Sequence, residues 1–363
     1  MSRIVVKIGT SSLTDEAGVI DVAVIEKVTS EVATLRHAGH EVTIVTSGAI
    51  AAGLPVLGIS AADRPSDAVS LQAMSSIGQP ELLRTWAEAL SDQGLIVGQI
   101  LLAPHNFGDR AQYLHARSTL TKLHELGVVP LINENDAVTD AEIRYGDNDR
   151  IAALVAHLIS ADVLILLTDT DGVLTADPRV DPSASLIEEV AEFDQLVDSV
   201  VGGAGTVRGS GGMASKLTAA RIAAWSGVRT VIANASRPGV ISDAASGTDA
   251  VGTTVNARPT TLSARKLWIG FAMPAVASIT VDAGARRALE QGGRSLLAVG
   301  VSSIDGSFEK RDPVDVADPD GVVFAKGITR TSSEELAGLA SAADGAGDTA
   351  GVVIHVDDLV VLA

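Results

Sequence analysis

The chain contains no cysteine, which removes disulfides, thiolate metal sites and cysteine nucleophiles together and leaves nothing that needs an oxidising compartment. Aromatic residues make up only 3%, too few for a surface that reads its partner by ring stacking. Positive charge is scarce as well. With 27 lysines and arginines against 45 aspartates and glutamates the net charge is −18, so nucleic acid or anionic lipid would have to approach against the protein's own field. No run reaches the ~20 apolar residues that span a bilayer. Residues 1–10 read directly into a strand, without a basic segment, apolar stretch and small-residue cleavage site. The seven histidines show no metal-ligand spacing. A cytoplasmic protein with no membrane and no nucleic-acid partner is the expectation.

What the sequence does have is length and aliphatic bulk. At 363 residues, 46% of them hydrophobic, it exceeds what one core usually supports, so one large and one small domain are expected. β-Branched runs at 4–8, 41–46, 128–133, 163–168 and 230–233 end in Gly, Ser, Asn or Asp clusters and alternate with Ala-rich helical patterns such as 22–38 and 213–226. That alternation predicts parallel strands joined by crossover helices. Most of these runs are apolar on both faces, as strands between two helix layers must be. From about Arg258 the texture changes to short alternating runs, 277–281, 296–301 and 352–356, separated by Gly and Asp turns. A small β-rich domain is therefore expected over 275–363, behind a first domain over 1–257. From Arg258 onward, ten lysines and arginines against fourteen aspartates and glutamates give −4, so both parts are acidic. Residues 341–351, rich in Ala, Gly and Asp, read as a mobile loop.

Polar residues gather at the predicted strand ends, where open α/β sheets bind ligands. After the first strand come Lys7, Gly9, Thr10 and Ser11. Small residues there let backbone N–H groups approach a phosphate, with Lys7 as its point charge, although an exposed lysine beside an ordinary turn has the same sequence. The second strand runs into Thr46-Ser47-Gly48-Ala49, either a carboxylate site at a helix start or a plain N-cap. The third ends at Asn133-Glu134-Asn135-Asp136, and Gly146-Asp147-Asn148-Asp149 follows ten residues later. So many carboxylates and amides need cations or polar ligands to offset their repulsion, and Asp136 suits a substrate ammonium. The fourth strand delivers Thr168-Asp169, a candidate for nucleotide ribose and phosphates.

Gly209-Ser210-Gly211-Gly212-Met213-Ala214-Ser215-Lys216 then leads into a helix. Its glycines can wrap a polyphosphate, and Lys216, expected in the first helical turn, can sit over a transferring phosphoryl group. The segment is neither G-x-x-x-x-G-K-[ST] nor G-x-G-x-x-G, which sets aside P-loop and dinucleotide-binding enzymes. Two lysines on separate glycine-rich turns meet the main need of phosphoryl transfer, which is positioning and charge neutralisation, with magnesium on the leaving phosphates. A carboxylate acceptor, ionised at neutral pH, needs no general base.

Taken in order, V-V-K-I-G-T-S, T-S-G-A-I-A-A-G, I-N-E-N-D-A-V, G-D-N-D, L-T-D-T-D-G-V-L-T-A-D-P-R and G-G-M-A-S-K resemble the glutamate 5-kinase group of the amino-acid kinase family over almost the whole chain. The N-E-N-D and G-D-N-D pair separates that group from sister kinases for acetylglutamate, aspartate, carbamate or UMP, which share the lysine and glycine turns. The C-terminal segment, through Pro313-Val314-Asp315-Val316 and Gly327-Ile328, resembles the PUA domain.

The resemblance implies an αβα sandwich around a mainly parallel sheet with a smaller β-rich domain behind it. It implies ATP- and Mg2+-dependent phosphorylation of the γ-carboxylate of L-glutamate, the first step of proline biosynthesis, with proline as feedback inhibitor and a homo-oligomeric assembly. Residue by residue, it places Lys7 and Lys216 on the phosphates and Asp149 as the carboxylate that orients both. Ser47, Asp136 and Asn148 fall on glutamate, with Gly48 and Asp147 lining the same site. Thr168, Asp169, Ser210, Gly211, Gly212, Met213, Ala214, Ser215 and Lys216 fall on ATP, Ser210 standing where threonine is commoner. The nearest enzymatic alternative is a kinase for another small carboxylate. An RNA-associated PUA protein is opposed by the acidic balance, and a non-catalytic amino-acid sensor would be expected to lack Lys7, Asp149 or Lys216, all of which are present.

Overall fold

The computed structural model describes residues 1–107, 109–138, 148–176, 181, 183–190, 211–259, 261–273, 275–342 and 351–362. The chain divides into two compact units, one of Met1–Asn106 and Arg110–Thr261, the other mainly of Leu262–Ala363.

In the first unit, β1 (Arg3–Ile8), β2 (Glu41–Val45), β3 (Val97–Leu102), β4 (Val129–Glu134), β5 (Val163–Thr168), β6 (Glu189–Val190), β7 (Arg229–Asn234) and β8 (Thr253–Val255) form one sheet in the order β3-β4-β2-β1-β5-β7-β8-β6. Every neighbouring pair is parallel except β7 with β8. The strand β1 lies between β2 and β5. Because the chain adds β2, β3 and β4 on one side of β1 and only then crosses to β5 on the other, the winding reverses there, and the crevice beyond the carboxyl ends of these strands is where such sheets bind ligands.

Among the described residues of this unit the helices are α1 (Thr10–Leu13), α2 (Val22–His37), α3 (Ala49–Val56), α4 (Ala68–Asp92), α5 (Arg110–Glu125), α6 (Asn148–Leu158), α7 (Gly211–Trp225) and α8 (Val240–Ser246). Alternation along β1 sorts its side chains. Ile4, Val6 and Ile8 join a core with Ile25, Val28 and Val32 of α2 and Leu82 and Trp86 of α4. The intervening Lys7 points to the other face, where it meets Asp149 of α6. There α6 packs on both β1 and α7.

Three strands of the first unit are additional to the sequence expectation: β3, the two-residue β6 and β8. The edge strand β3 holds Gly98 and Gln99 and is only half-buried, so it lacks a continuous apolar run. The three-residue β8 runs antiparallel to β7 and parallel to β6.

In the second unit, β9 (Ala277–Val281), β10 (Leu296–Leu297), β11 (Val301–Asp305), β12 (Pro313–Ala317), β13 (Val323–Thr329) and β14 (Val352–Val361) form a sheet ordered β10-β14-β13-β12-β9-β11, antiparallel except for β12 with β9. Its core is built from residues such as Ile279, Val281, Val314, Val316, Phe324 and Ile354. The expected run 296–301 is broken by a 3₁₀ turn at Ala298–Gly300, so that β10 ends at Leu297 and β11 begins at Val301. Of the expected loop 341–351, Ser341 and Ala342 close the helix Ser333–Ala342 and 343–350 lie outside the described residues. No helix among the described residues is long and apolar enough to cross a membrane.

Candidate active site

Three charged residues far apart in sequence meet at the carboxyl edge of the first sheet. Lys7 comes from the carboxyl end of β1, Asp149 from the first turn of α6 and Lys216 from α7. Lys7 Nζ lies 2.6 Å from Asp149 Oδ1, and Lys216 Nζ lies 3.4 Å from Asp149 Oδ2. Ser215 Oγ donates to the same Oδ2 at 2.6 Å, and Lys216 Nζ donates to the Gly212 carbonyl at 3.3 Å. The three residues are only 4%, 1% and 7% exposed.

Burial penalises the charged form of Asp149, yet the two ammonium groups and the hydrogen bonds from Lys7 and Ser215 outweigh it and hold the carboxyl below the usual carboxylate range. Burial pulls Lys7 down from the ordinary lysine value, opposed by Asp149 and reinforced by Lys216. Asp149 therefore stays ionised, and its place in the first turn of α6 adds the favourable helix-dipole interaction. Two cations sharing one carboxylate leave a surplus positive charge in a desolvated position, which a bound phosphate would neutralise.

Beside this cluster, the end of β4 is held by amides. Asn133 Nδ2 donates to Gln79 Oε1 at 2.8 Å, Asn148 Nδ2 donates to Asn133 Oδ1 at 3.1 Å, and the Glu134 N–H reaches Asn133 Oδ1 and Asn148 Oδ1 at 2.9 and 3.0 Å. The two polar clusters of the sequence are thus tied together through Asn133 and Asn148. Asp136, half-buried, accepts from Ser75 Oγ at 2.7 Å. Burial raises its carboxyl above the usual range and the Ser75 hydrogen bond draws it back.

Across the crevice, Gly48 caps α3 in the left-handed region at φ +99°, with Ile20 3.1 Å from where a Cβ would lie. The cap is Gly48 and carries no side-chain hydrogen bond, so the N-cap reading of Ser47 is replaced: Ser47 sits one residue outside the helix. Helix α3 rests directly on α4, where a Cβ on Gly78 would fall 1.9 Å from the Ala49 carbonyl and one on Gly53 2.2 Å from that of Met74.

At the end of β5, Thr168 is buried and its hydroxyl donates to Asp169 Oδ1 at 3.1 Å, while Asp169 is exposed. The segment from Gly211 through Gly212, Met213, Ala214 and Ser215 is already helical, so Lys216 stands in the second turn of α7 rather than the first. Asp147 and Ser210 lie outside the described residues. The structure thus brings Lys7, Asp149, Lys216 and Ser215 together, with Asn148 at the start of α6 and Asp136 in the 3₁₀ turn just after β4. The sequence reading did not single out Ser75 and Gln79. The available signal was two polar residues at i and i+4 in a helix whose adjacent residues, Met74 and Gly78, are buried.

A mainly parallel sheet whose carboxyl edge seats two lysines on one buried carboxylate defines a phosphoryl-transfer enzyme of α/β type. The chain belongs to the amino acid kinase family, whose family model matches residues 2–234, and the PUA domain matches residues 277–342. Its curated relatives include the glutamate 5-kinase of Mycobacterium bovis (strain BCG / Pasteur 1173P2), 42% identical over 99% of this chain and 94% of the relative. They also include the glutamate 5-kinases of Burkholderia multivorans, 43% identical over 92% of this chain and 89% of the relative, and of Caldanaerobacter subterraneus subsp. tengcongensis, with the same identity and coverage.

Proposed function

We propose that the chain moves the γ-phosphoryl group of ATP onto the γ-carboxylate of L-glutamate, giving γ-glutamyl phosphate and ADP, and so opens proline biosynthesis. The observation that carries the reading is the Lys7–Asp149–Lys216 cluster at the carboxyl edge of the sheet. In the transfer the bond from the γ-phosphorus to the β,γ-bridging oxygen breaks and a bond to a glutamate carboxylate oxygen forms. No proton need leave the acceptor, so charge neutralisation and alignment are the whole task. Lys7 and Lys216 would neutralise the phosphoryl oxygens, with Asp149 fixing both ammonium groups; Thr168, Asp169 and the start of α7 would take the nucleotide.

On the acceptor side, Asp136 would pair with the substrate ammonium, Asn148 would donate to glutamate, and Ser47 with Gly48 and Asp147 would line the same pocket. Magnesium fits as a passenger of ATP, supplying further positive charge to the leaving phosphates. The described carboxylate nearest the lysines, Asp149, is already engaged by two ammonium groups and a hydroxyl. A cytoplasmic homo-oligomer restrained by proline completes the reading.

The test is ATP consumption with the acyl phosphate trapped by hydroxylamine, run with glutamate, aspartate and N-acetylglutamate as acceptors. The expected result is hydroxamate formation that depends on glutamate. Turnover faster with either other acid than with glutamate overturns the assignment.

A further inference from the structure

Helix α4 is no part of the sequence-derived site, yet it touches the acceptor side at two points one turn apart. Ser75 donates to Asp136 Oδ2 at 2.7 Å, and Gln79 accepts from Asn133 at 2.8 Å. Between them Gly78 lets α4 press against the backbone of α3, so this stretch of the helix can move little. Ser75 is only 4% exposed. A serine inside a helix often turns its hydroxyl back to the carbonyl four residues earlier, as the exposed Ser76 does to Gln72 at 3.0 Å. Ser75 instead spends its hydrogen on a carboxylate, 61 residues away, that sits in a short 3₁₀ turn, Asp136–Val138. One such turn offers little to hold a side chain in one rotamer, whereas a donor on a packed 25-residue helix does.

We propose that Ser75 is a positioning residue for the amino-acid substrate: its hydroxyl engages Oδ2 of Asp136 and so fixes the carboxylate with Oδ1 directed to the substrate ammonium. The inference rests on Asp136 meeting that ammonium, and it assigns Ser75 a part in recognising an α-amino acid over the corresponding diacid. Ser75 itself touches no reacting atom.

The experiment compares full-length wild type, Ser75→Ala, Asp136→Ala and the double variant, measuring kcat and the KM for glutamate and for ATP. The inhibition constant of glutarate, which has both carboxylates and no ammonium, is measured alongside. Alanine suits a helix interior, so Ser75→Ala folds, and circular dichroism checks it. Ser75 acts on the substrate only through Asp136, so an effect on the scale of one ordinary hydrogen bond is expected, a rise in glutamate KM of roughly three- to tenfold, with kcat, the KM for ATP and the glutarate constant unchanged. In the Asp136→Ala background the same substitution has no further effect. If Ser75→Ala leaves glutamate KM alone while Asp136→Ala raises it, the positioning role is wrong and the reading of Asp136 stands. An equal weakening of glutamate and glutarate, or an undiminished effect without Asp136, makes Ser75 merely structural and overturns the inference. An Asp136→Ala variant with normal glutamate KM removes the reading beneath it, and the inference falls with it.

Discussion

The two units of the chain share solvated surface ion pairs, such as Arg84–Glu88 in the first, and differ in the charge they bury. In the first, Lys7, Asp149 and Lys216 are nearly inaccessible and bonded to one another. In the second, ion pairs such as Arg265–Asp358 and Lys310–Glu335 keep at least one partner in water; Asp318 is buried but is met by Arg286 and by the backbone N–H groups of Asp320 and Val322. Burying an ion pair costs several kcal/mol of desolvation that the pair rarely repays in stability. A fold that keeps two buried cations on one carboxylate therefore keeps them for what they bind. The solvated pairs of the second unit carry no such signal.

The contrast breaks most sharply at Asp149. Asp149→Ala leaves two buried ammonium groups facing each other, and a loss of about 3–5 kcal/mol is expected, on the scale measured for buried pairs deprived of one partner. Turnover disappears with it. Urea unfolding followed through the buried Trp86 measures the loss, and a variant as stable as wild type would mean that the lysines do not need their shared carboxylate.

A smaller effect concerns a buried group outside the site. His124 of α5 bonds through Nε2 to Thr43 Oγ1 at 3.0 Å, and burial lowers its pKa below the ordinary histidine value. As pH falls below about 6.5 the unfolded chain takes up a proton that the folded chain refuses, so this group removes stability on acidification and contributes nothing at higher pH. The urea midpoint should therefore fall between pH 7.5 and 5.5 by more in wild type than in His124→Gln. Equal slopes would show that His124 accepts its proton without leaving the fold.

Removing the second unit should matter less to chemistry. Every proposed phosphate and glutamate ligand lies before residue 217, so a chain ending at Thr261 is expected to keep kcat within a few-fold. A folded, soluble truncation without turnover would end the division of labour. The smallest effect is expected at Lys310, whose partner Glu335 is exposed. Lys310→Ala should leave both turnover and the urea midpoint unchanged, and a measurable shift in either would blur the contrast between the units.

How much of this was legible depends on periodicity. The buried strands β1, β4, β5 and β7 announce themselves as apolar runs bounded by polar clusters, and their ends carry Lys7, Asn133 and Thr168. Strand β3 does not, because an edge strand can expose Leu101 and hold Gly98 and Gln99. Helix α4 carries Pro80 in its interior, a residue that reads as a break. Its Ser75 and Gln79 become site neighbours only through the close crossing at Gly53 and Gly78, a contact between backbones that no local pattern encodes. Likewise, that Lys7 and Lys216 fall on opposite oxygens of one carboxylate depends on α6 packing against both β1 and α7.

The most direct test is steady-state kinetics of Lys216→Ala and Lys216→Arg with glutamate and ATP. A cation that faces the phosphoryl group in flight stabilises the transition state more than the bound substrates, so kcat is expected to fall by roughly 10²-fold or more while the glutamate KM changes far less. Arginine, larger and planar, should not restore it. A near-normal kcat in Lys216→Ala, in a variant whose circular dichroism matches wild type, would contradict the assignment of phosphoryl transfer to the buried lysine pair.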